Sequence, residues 1–329
     1  MPEQVELTFV IPLYNEEEVF DVLIQRMRST METAIFPCEV ILVDDGSSDG
    51  TREKIESLCS VDHRFRALLL SRNFGHQRAV SAGLDHVRGR YVGILDGDLQ
   101  DPPEILLEFH RKIQQGYDLV YAVRKRRKEN LLKRGCYWTF YRLLRCIANI
   151  DIPLDSGDFC LLSERVVREI QAMPEHHRFL RGMRSWVGFR QIGVPYNREH
   201  RAAGKSKYSI SKLFLLALDG LLTFSEAPLR LATLTGLIVA TLSFLWALYV
   251  LVWRLFNDNS ELQGFATIAC GMFFLGGIQL ICMGILGEYI ARIHNEVKRR
   301  PVYIVDRCIG FENEQQVASV PAVASDSER

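Results

Sequence analysis

The amino-acid sequence predicts an α/β domain built on a mainly parallel sheet, followed by a two-helix transmembrane hairpin. Three observations carry that expectation: apolar runs alternate with helical stretches through the first 125 residues, polar clusters follow the carboxyl ends of those runs, and two long segments near the C-terminus contain no charge. The strand-like runs are Leu7–Leu13, Val40–Val43, Ala67–Leu70, Tyr91–Leu95 and Leu119–Val123. Helical stretches begin near Glu16, Asp49, Gly75 and Pro103. Such alternation is the signature of strand–helix–strand units, whose strands lie parallel.

Ligands in sheets of this kind bind beyond the carboxyl ends of the strands. The polar clusters fall there: Tyr14-Asn15-Glu16, Asp44-Asp45-Gly46-Ser47, Ser71-Arg72-Asn73, Asp96-Gly97-Asp98 and Arg124. The fourth opens the run Asp96-Gly97-Asp98-Leu99-Gln100-Asp101-Pro102. Two carboxylates one residue apart at a strand end can hold a hard divalent cation, which in turn binds the pyrophosphate of a nucleotide-activated donor. The same spacing also occurs in solvated turns. A plain turn at Asp45-Gly46-Ser47 and a helix cap at Asp49 are equally compatible with these residues.

Composition narrows the class. Lys plus Arg and Asp plus Glu are both 40 in 329 residues, a balance that argues against a nucleic-acid partner. The eight cysteines form no C-x-x-C pair and two lie in apolar segments, which suits a reducing compartment. The start, MPEQVELTF, lacks a basic stretch followed by an apolar one, so the first domain is expected to stay in the cytoplasm.

The apolar segments Leu231–Trp253 and Gly264–Gly287 are each long enough, as helices, to cross a hydrocarbon core of about 30 Å. Lys205, Lys207, Lys212 and Arg230 precede the first, and Arg292, Lys298, Arg299 and Arg300 follow the second. The intervening NDNSELQ has no Lys or Arg, so the positive-inside bias places both termini in the cytoplasm. A helix over Leu131–Ala148 would carry Arg134, Arg142, Arg145 and Trp138 on one side and apolar residues on the other. It reads either as an interfacial helix or as an ordinary amphipathic one on the domain surface. Ile210–Phe224 is more apolar still and is expected at the bilayer, and the chain after about Asn313 reads as a disordered tail.

Taken in order, FVIPLYNEEE, VDDGSSDGT, SRNFGHQRAVSAGLD, DGDLQDPPE, SGDFCLLS, GKSKYS and GILGEYIARI resemble the membrane-attached glycosyltransferase family 2 enzymes that load a sugar onto polyprenyl phosphate. The likeness runs from about residue 7 to 305 and is greatest to the bacterial bactoprenol glucosyltransferases of O-antigen modification, with dolichyl-phosphate mannose synthase more distant. It implies a GT-A, Rossmann-like catalytic core over residues 1–165, its remainder with a juxtamembrane helix over 166–228, the hairpin over 229–290 and a cytoplasmic segment over 291–329.

The resemblance also implies roles. Pro12, Tyr14, Glu16 and Asp44 would surround the nucleotide base and ribose, and Asp96 and Gly97 would line the donor. Asp98 and Gln100 would coordinate Mg²⁺ or Mn²⁺, and Arg201 and Lys207 would approach the pyrophosphate. For Lys207 a juxtamembrane anchor to anionic lipid is the alternative. Asp158 matches the proposed catalytic carboxylate, and Arg124 and Arg134 are candidates for the acceptor phosphate. That phosphate is already ionised near neutral pH, so Asp158 has less proton abstraction to do than it would against a sugar hydroxyl.

The implied partners are a nucleotide sugar, with UDP-glucose leading, undecaprenyl phosphate, and the inner-membrane bilayer. A homotetramer follows from resemblance alone; the glycines of the second segment show only that close helix contact is permitted. Other sugars stay open. A processive polysaccharide synthase fits less well, since Arg181-Gly182-Met183-Arg184-Ser185-Trp186 departs from the Gln-x-x-Arg-Trp pattern of such enzymes, and a non-catalytic membrane scaffold is the remaining alternative.

Overall fold

The computed structural model describes residues 5–124, 156–176, 178–197, 227–256 and 265–311. Arg134, Arg201, Lys207, the helix expected over 131–148 and the segment 210–224 lie outside them, as does the side chain of Arg124. The chain divides into an α/β unit and a helical unit, and residues from 300 onward return to the first.

The α/β unit begins with β1 (Leu7–Leu13), α1 (Glu17–Thr33), β2 (Cys38–Asp44), α2 (Thr51–Val61), β3 (Phe65–Leu70), α3 (His76–Asp85), β4 (Tyr91–Ile94), α4 (Ile105–Ile113) and β5 (Leu119–Arg124). All five expected strands form, and each helix starts within about two residues of its expected position, the usual scatter at helix ends. Three further strands complete the sheet: β6 (Ser156–Ser163), β7 (Gln191–Tyr196) and β8 (Val305–Ile309). Helices α5 (Glu164–Ala172) and α6 (Leu180–Val187) lie between β6 and β7.

The strand order is β7-β5-β6-β4-β1-β2-β3-β8. Strands β4, β1, β2 and β3 are mutually parallel, and β7 is parallel to β5. Strand β6 runs antiparallel to both β4 and β5, and β8 antiparallel to β3. The sheet is therefore mixed, with a parallel majority as expected. Both edge strands carry residues that weaken a strand signal: Pro195 in β7, and Asp306 and Arg307 in β8.

Strand β1 is buried along its whole length because helices cover both faces of the sheet. Its alternation divides the core. Leu7, Phe9, Ile11 and Leu13 pack with Leu23 and Met27 of α1, while Val10 packs with Val80 and Leu84 of α3. Helix α3 comes so close that a Cβ on Gly83 would stand 2.3 Å from Val10 Cγ1 and 3.2 Å from Val43 Cγ2. Removing a helical glycine favours folding by roughly 0.5–1 kcal/mol, whereas forcing a methyl against two fully buried, χ1-restricted valines costs about 1–3 kcal/mol. Gly83→Ala is therefore expected to lower the melting temperature, and an unchanged or raised value in a thermal-unfolding assay would contradict this packing.

The helical unit consists of α7 (Ala227–Phe256) and α8 (Phe265–Val297). Among the described residues one stretch, Phe274–Val297, is long and apolar enough to cross a membrane, and Ala232–Trp246 is a shorter apolar one. Leu237, Phe244 and Trp246 of α7 and Phe274, Leu280 and Met283 of α8 are all exposed. Two helices therefore form where two were expected, and among the described residues the second meets the length and hydropathy of a full span.

Candidate active site

The parallel strands end on one rim, and the loops beyond β1 and β2 are laced together there. Asn15 N–H donates to Ser47 Oγ (3.0 Å), Ser48 N–H to Asn15 Oδ1 (2.8 Å), and Glu16 N–H to Thr51 Oγ1 (3.0 Å). Tyr14 is exposed at this point, whereas Pro12 is buried within β1 opposite Val43. Asp44, at the end of β2, has no exposed surface. Its Oδ1 accepts the Ser47 N–H at 3.1 Å while its Oδ2, equally buried, has no hydrogen-bond partner among the described residues. Burial pushes this carboxyl above its ordinary pKa, against the Ser47 bonds that lower it. A buried bare acceptor is costly unless a ligand donor completes it.

The neighbouring Asp45 does different work. Its Oδ1 accepts the Phe74 N–H at 2.7 Å and its Oδ2 the Gly75 N–H at 2.9 Å, tying the loop after β3 to the end of β2. That tie sets the first turn of α3, so His76 and Gln77 stand at the rim. The Asp45 carboxylate thus anchors the site.

Register brings in the next group. Ile94 of β4 pairs with Cys160 of β6, and continuing that antiparallel register sets Asp158 opposite Asp96. His76 Nε2 lies 3.5 Å from Asp96 Oδ1 and 3.5 Å from Asp158 Oδ2, spanning the two carboxylates. Asp158 is 8% exposed. Arg181, in the first turn of α6, donates Nε to its Oδ1 (2.8 Å) and Nη2 to its Oδ2 (3.2 Å), and Gln77 Nε2 donates to Oδ2 (3.0 Å). Gln77 Oε1 in turn accepts the Leu180 N–H (3.0 Å).

The electrostatics follow from this crowding. Burial favours the neutral form of His76, but the carboxylates of Asp158 and Asp96 outweigh it and lift its pKa to about 9. Burial lifts Asp96 to about 6, helped by the charges of Asp158, Asp101 and Asp98 and opposed by His76. Burial also works against the charge on Asp158, yet Arg181 and His76 overcome it and hold this carboxyl well below the usual range.

The Asp96–Asp101 loop is held from both sides. A Cβ on Gly97 would stand 2.4 Å from Leu13 Cδ2, so a larger residue here would have to push the Leu13 side chain aside. Leu99 takes φ 58°, uncommon outside glycine, and Asp98 Oδ1 accepts the Gln100 N–H at 3.2 Å. Tyr196 OH of β7 donates to the buried Asp101. The local turn foreseen as the plain alternative is present, and it aligns Asp98 and Gln100 on one loop.

Among the described residues no group of three or more His, Cys, Asp or Glu side chains forms a complete metal cage. The oxygen donors of Asp98 and Gln100 suit an ion such as Mg²⁺, which is bound by one or two carboxylates and completed by substrate phosphates and water. The residues fit a cation that arrives with a phosphorylated ligand.

Sequence reasoning placed Asp44, Asp96, Gly97, Asp98, Gln100 and Asp158 in the site, and the fold brings Asp96 and Asp158 together. It missed His76, Gln77, Arg181 and the anchoring role of Asp45. The signal available for His76 and Gln77 was their place just after a strand and a glycine, where a helix begins at the rim.

A Rossmann-like α/β sheet with a carboxylate-rich rim defines an enzyme core that works on ligands at its strand ends. Residues 8–171 match glycosyl transferase family 2 and residues 227–293 match the GtrB C-terminal hairpin. The chain is 41% identical over 316 residues to the uncharacterized glycosyltransferase YkcC of Bacillus subtilis (strain 168), covering 96% of this chain and 98% of that one. It is 40% identical over 303 residues to the SfII prophage-derived bactoprenol glucosyl transferase of Shigella flexneri, covering 92% and 98%. The chain belongs to glycosyltransferase family 2, and it is a glycosyltransferase.

Proposed function

We propose that this chain transfers a hexose from a nucleotide-activated donor to a prenyl phosphate at a membrane surface, with UDP-glucose as donor and undecaprenyl phosphate as acceptor. What supports this most directly is the meeting of Asp158, His76 and Asp96 at the strand ends, beside the loop that carries Asp98. The bactoprenol glucosyl transferase of Shigella flexneri supports both the lipid acceptor and the sugar, and the matched hairpin supports a lipid setting.

In the reaction, an oxygen of the acceptor phosphate forms a bond to C1 of the sugar as the bond from C1 to the donor diphosphate breaks. The electron pair leaves with the nucleoside diphosphate, so an α-linked donor yields a β-linked product. No proton need be removed, because a phosphate monoester loses its second proton near about pH 6. The bare Asp44 Oδ2 offers an acceptor to an N–H of the base, with Tyr14, Glu16 and Pro12 around it. Asp98 and Gln100 would hold Mg²⁺ or Mn²⁺, which would supply positive charge to the leaving diphosphate. By the family resemblance Arg201 and Lys207 are the candidates for that diphosphate, and Arg124 and Arg134 for the acceptor phosphate. The helical unit spans the membrane twice, leaving both termini in the cytoplasm.

The test is incubation of the purified full chain with undecaprenyl phosphate, Mg²⁺ and a panel of nucleotide sugars, with the lipid product identified by mass spectrometry and its anomeric form by NMR. A β-linked hexosyl lipid phosphate is expected. No lipid product with any donor, or an α-linked one from an α-linked donor, would overturn the proposal. Asp98→Ala is expected to cut metal-dependent turnover by about 10²-fold while membrane insertion is retained. Full activity in that variant would remove Asp98 from the cation site.

A further inference from the structure

Both oxygens of Asp158 are already engaged. Arg181 grips the carboxylate through two N–H groups, Gln77 adds a third donor to Oδ2, and the same Gln77 is fixed by the Leu180 N–H one residue before Arg181. The three elements that meet here, α3, β6 and α6, come from distant parts of the chain, and the carboxylate is where they join. A general base needs a lone pair facing the proton it takes. This carboxylate instead has Oδ2, already shared by Arg181 and Gln77, 3.5 Å from His76 Nε2, which lies between it and Asp96.

From this arrangement we infer that Arg181 and Gln77 are positioning residues that clamp Asp158, and that Asp158 acts as a fixed counter-charge orienting His76 rather than as a proton acceptor. The inference rests on the reading that Asp158 stands at the reacting centre. It also agrees with the chemistry above, in which the nucleophile carries no proton to remove. The charged and titratable groups around Asp158 are His76 from α3, Asp96 beyond β4, Arg181 and Arg184 from α6, and Cys160 on β6 itself.

The two roles make opposite predictions for Arg181→Met. Without the guanidinium, burial is opposed only by His76, and the Asp158 pKa rises from its depressed value. At pH 8 the carboxylate is still ionised and would now be the stronger base. A general base freed in this way turns over as fast as before or faster. A counter-charge that has lost its clamp turns over more slowly.

The experiment measures kcat and donor KM from pH 5 to 9 for the purified full chain, for Arg181→Met, Arg181→Lys, Gln77→Ala and Asp158→Asn, with circular dichroism to confirm folding. Expected are a fall in kcat of about tenfold for Arg181→Met and Gln77→Ala at pH 8, with donor KM within about twofold, and partial recovery in Arg181→Lys. Arg181→Met is also expected to lose kcat more steeply than the parent at mildly acidic pH, because Asp158 now protonates there in addition to Asp96 and the acceptor phosphate, which already give the parent an acid limb. Wild-type or higher kcat at pH 8 in both Arg181→Met and Gln77→Ala overturns the clamp. Should Asp158→Asn keep full activity, Asp158 does not stand at the reacting centre; should Asp158→Asn fail while both clamp variants are unaffected, only the clamp is wrong.

Discussion

Asp158→Asn is expected to lower kcat by about 10²–10³-fold, the loss typical when one pre-arranged charged group is removed from an active centre. The amide keeps the size of the side chain, so the effect is electrostatic. Arg181 loses the anion it grips through two N–H groups, and His76 loses one of the two carboxylates that favour its charged form. The donor contacts proposed elsewhere on the rim, at Asp44 and Asp98, are left in place. The measurement is steady-state turnover with saturating nucleotide sugar, together with donor affinity by calorimetry. A large drop in kcat with donor affinity within about threefold is expected. Equal losses in both would mean that Asp158 contributes mainly to ground-state binding.

The largest effect on stability is expected from Glu39→Ala. Glu39 and Arg66 are 6% and 4% exposed and joined by a 2.7 Å bond from Nη1 to Oε2, while Thr8 Oγ1 donates to Oε1 at 2.7 Å. The Arg66 guanidinium also lies 3.7 Å over the Phe311 ring. Truncating Glu39 removes the anion facing this buried cation, a change that costs about 3–5 kcal/mol, whereas replacing both partners by apolar residues of similar size is often close to neutral. Glu39→Ala should therefore lower the melting temperature by roughly 10 °C. The double variant Glu39→Leu, Arg66→Met should recover most of that. If the single variant melted within about two degrees of the parent, the pair would contribute little to stability.

The parallel part of the fold was legible because strands covered on both faces are uniformly apolar, and Leu7–Leu13 and Val40–Val43 announce themselves without knowledge of their neighbours. Legible too were the rim clusters, since topology alone sends strand ends to one side. What escaped was decided by pairing. Nothing local in SGDFCLLS says that the segment inserts antiparallel between β4 and β5, and only that insertion sets Asp158 against Asp96. The bond from Gln77 to Asp158 spans 81 residues and that from Arg181 spans 23, and contacts of that range leave no periodic trace. Gly193 and Pro195 disguised β7, and the charges of VDRCI disguised β8.

Strand β8 is made by residues beyond the helical pair, yet it covers the outer side of β3, with Ile304 O accepting the Ser71 N–H and Cys308 paired with Leu68. A protein shortened ahead of Val305 would leave β3 as an open template for strands of other molecules. Loss of the last few turns of chain, by design or by proteolysis, would thus surface first as precipitation, in a protein whose catalytic residues are all still present.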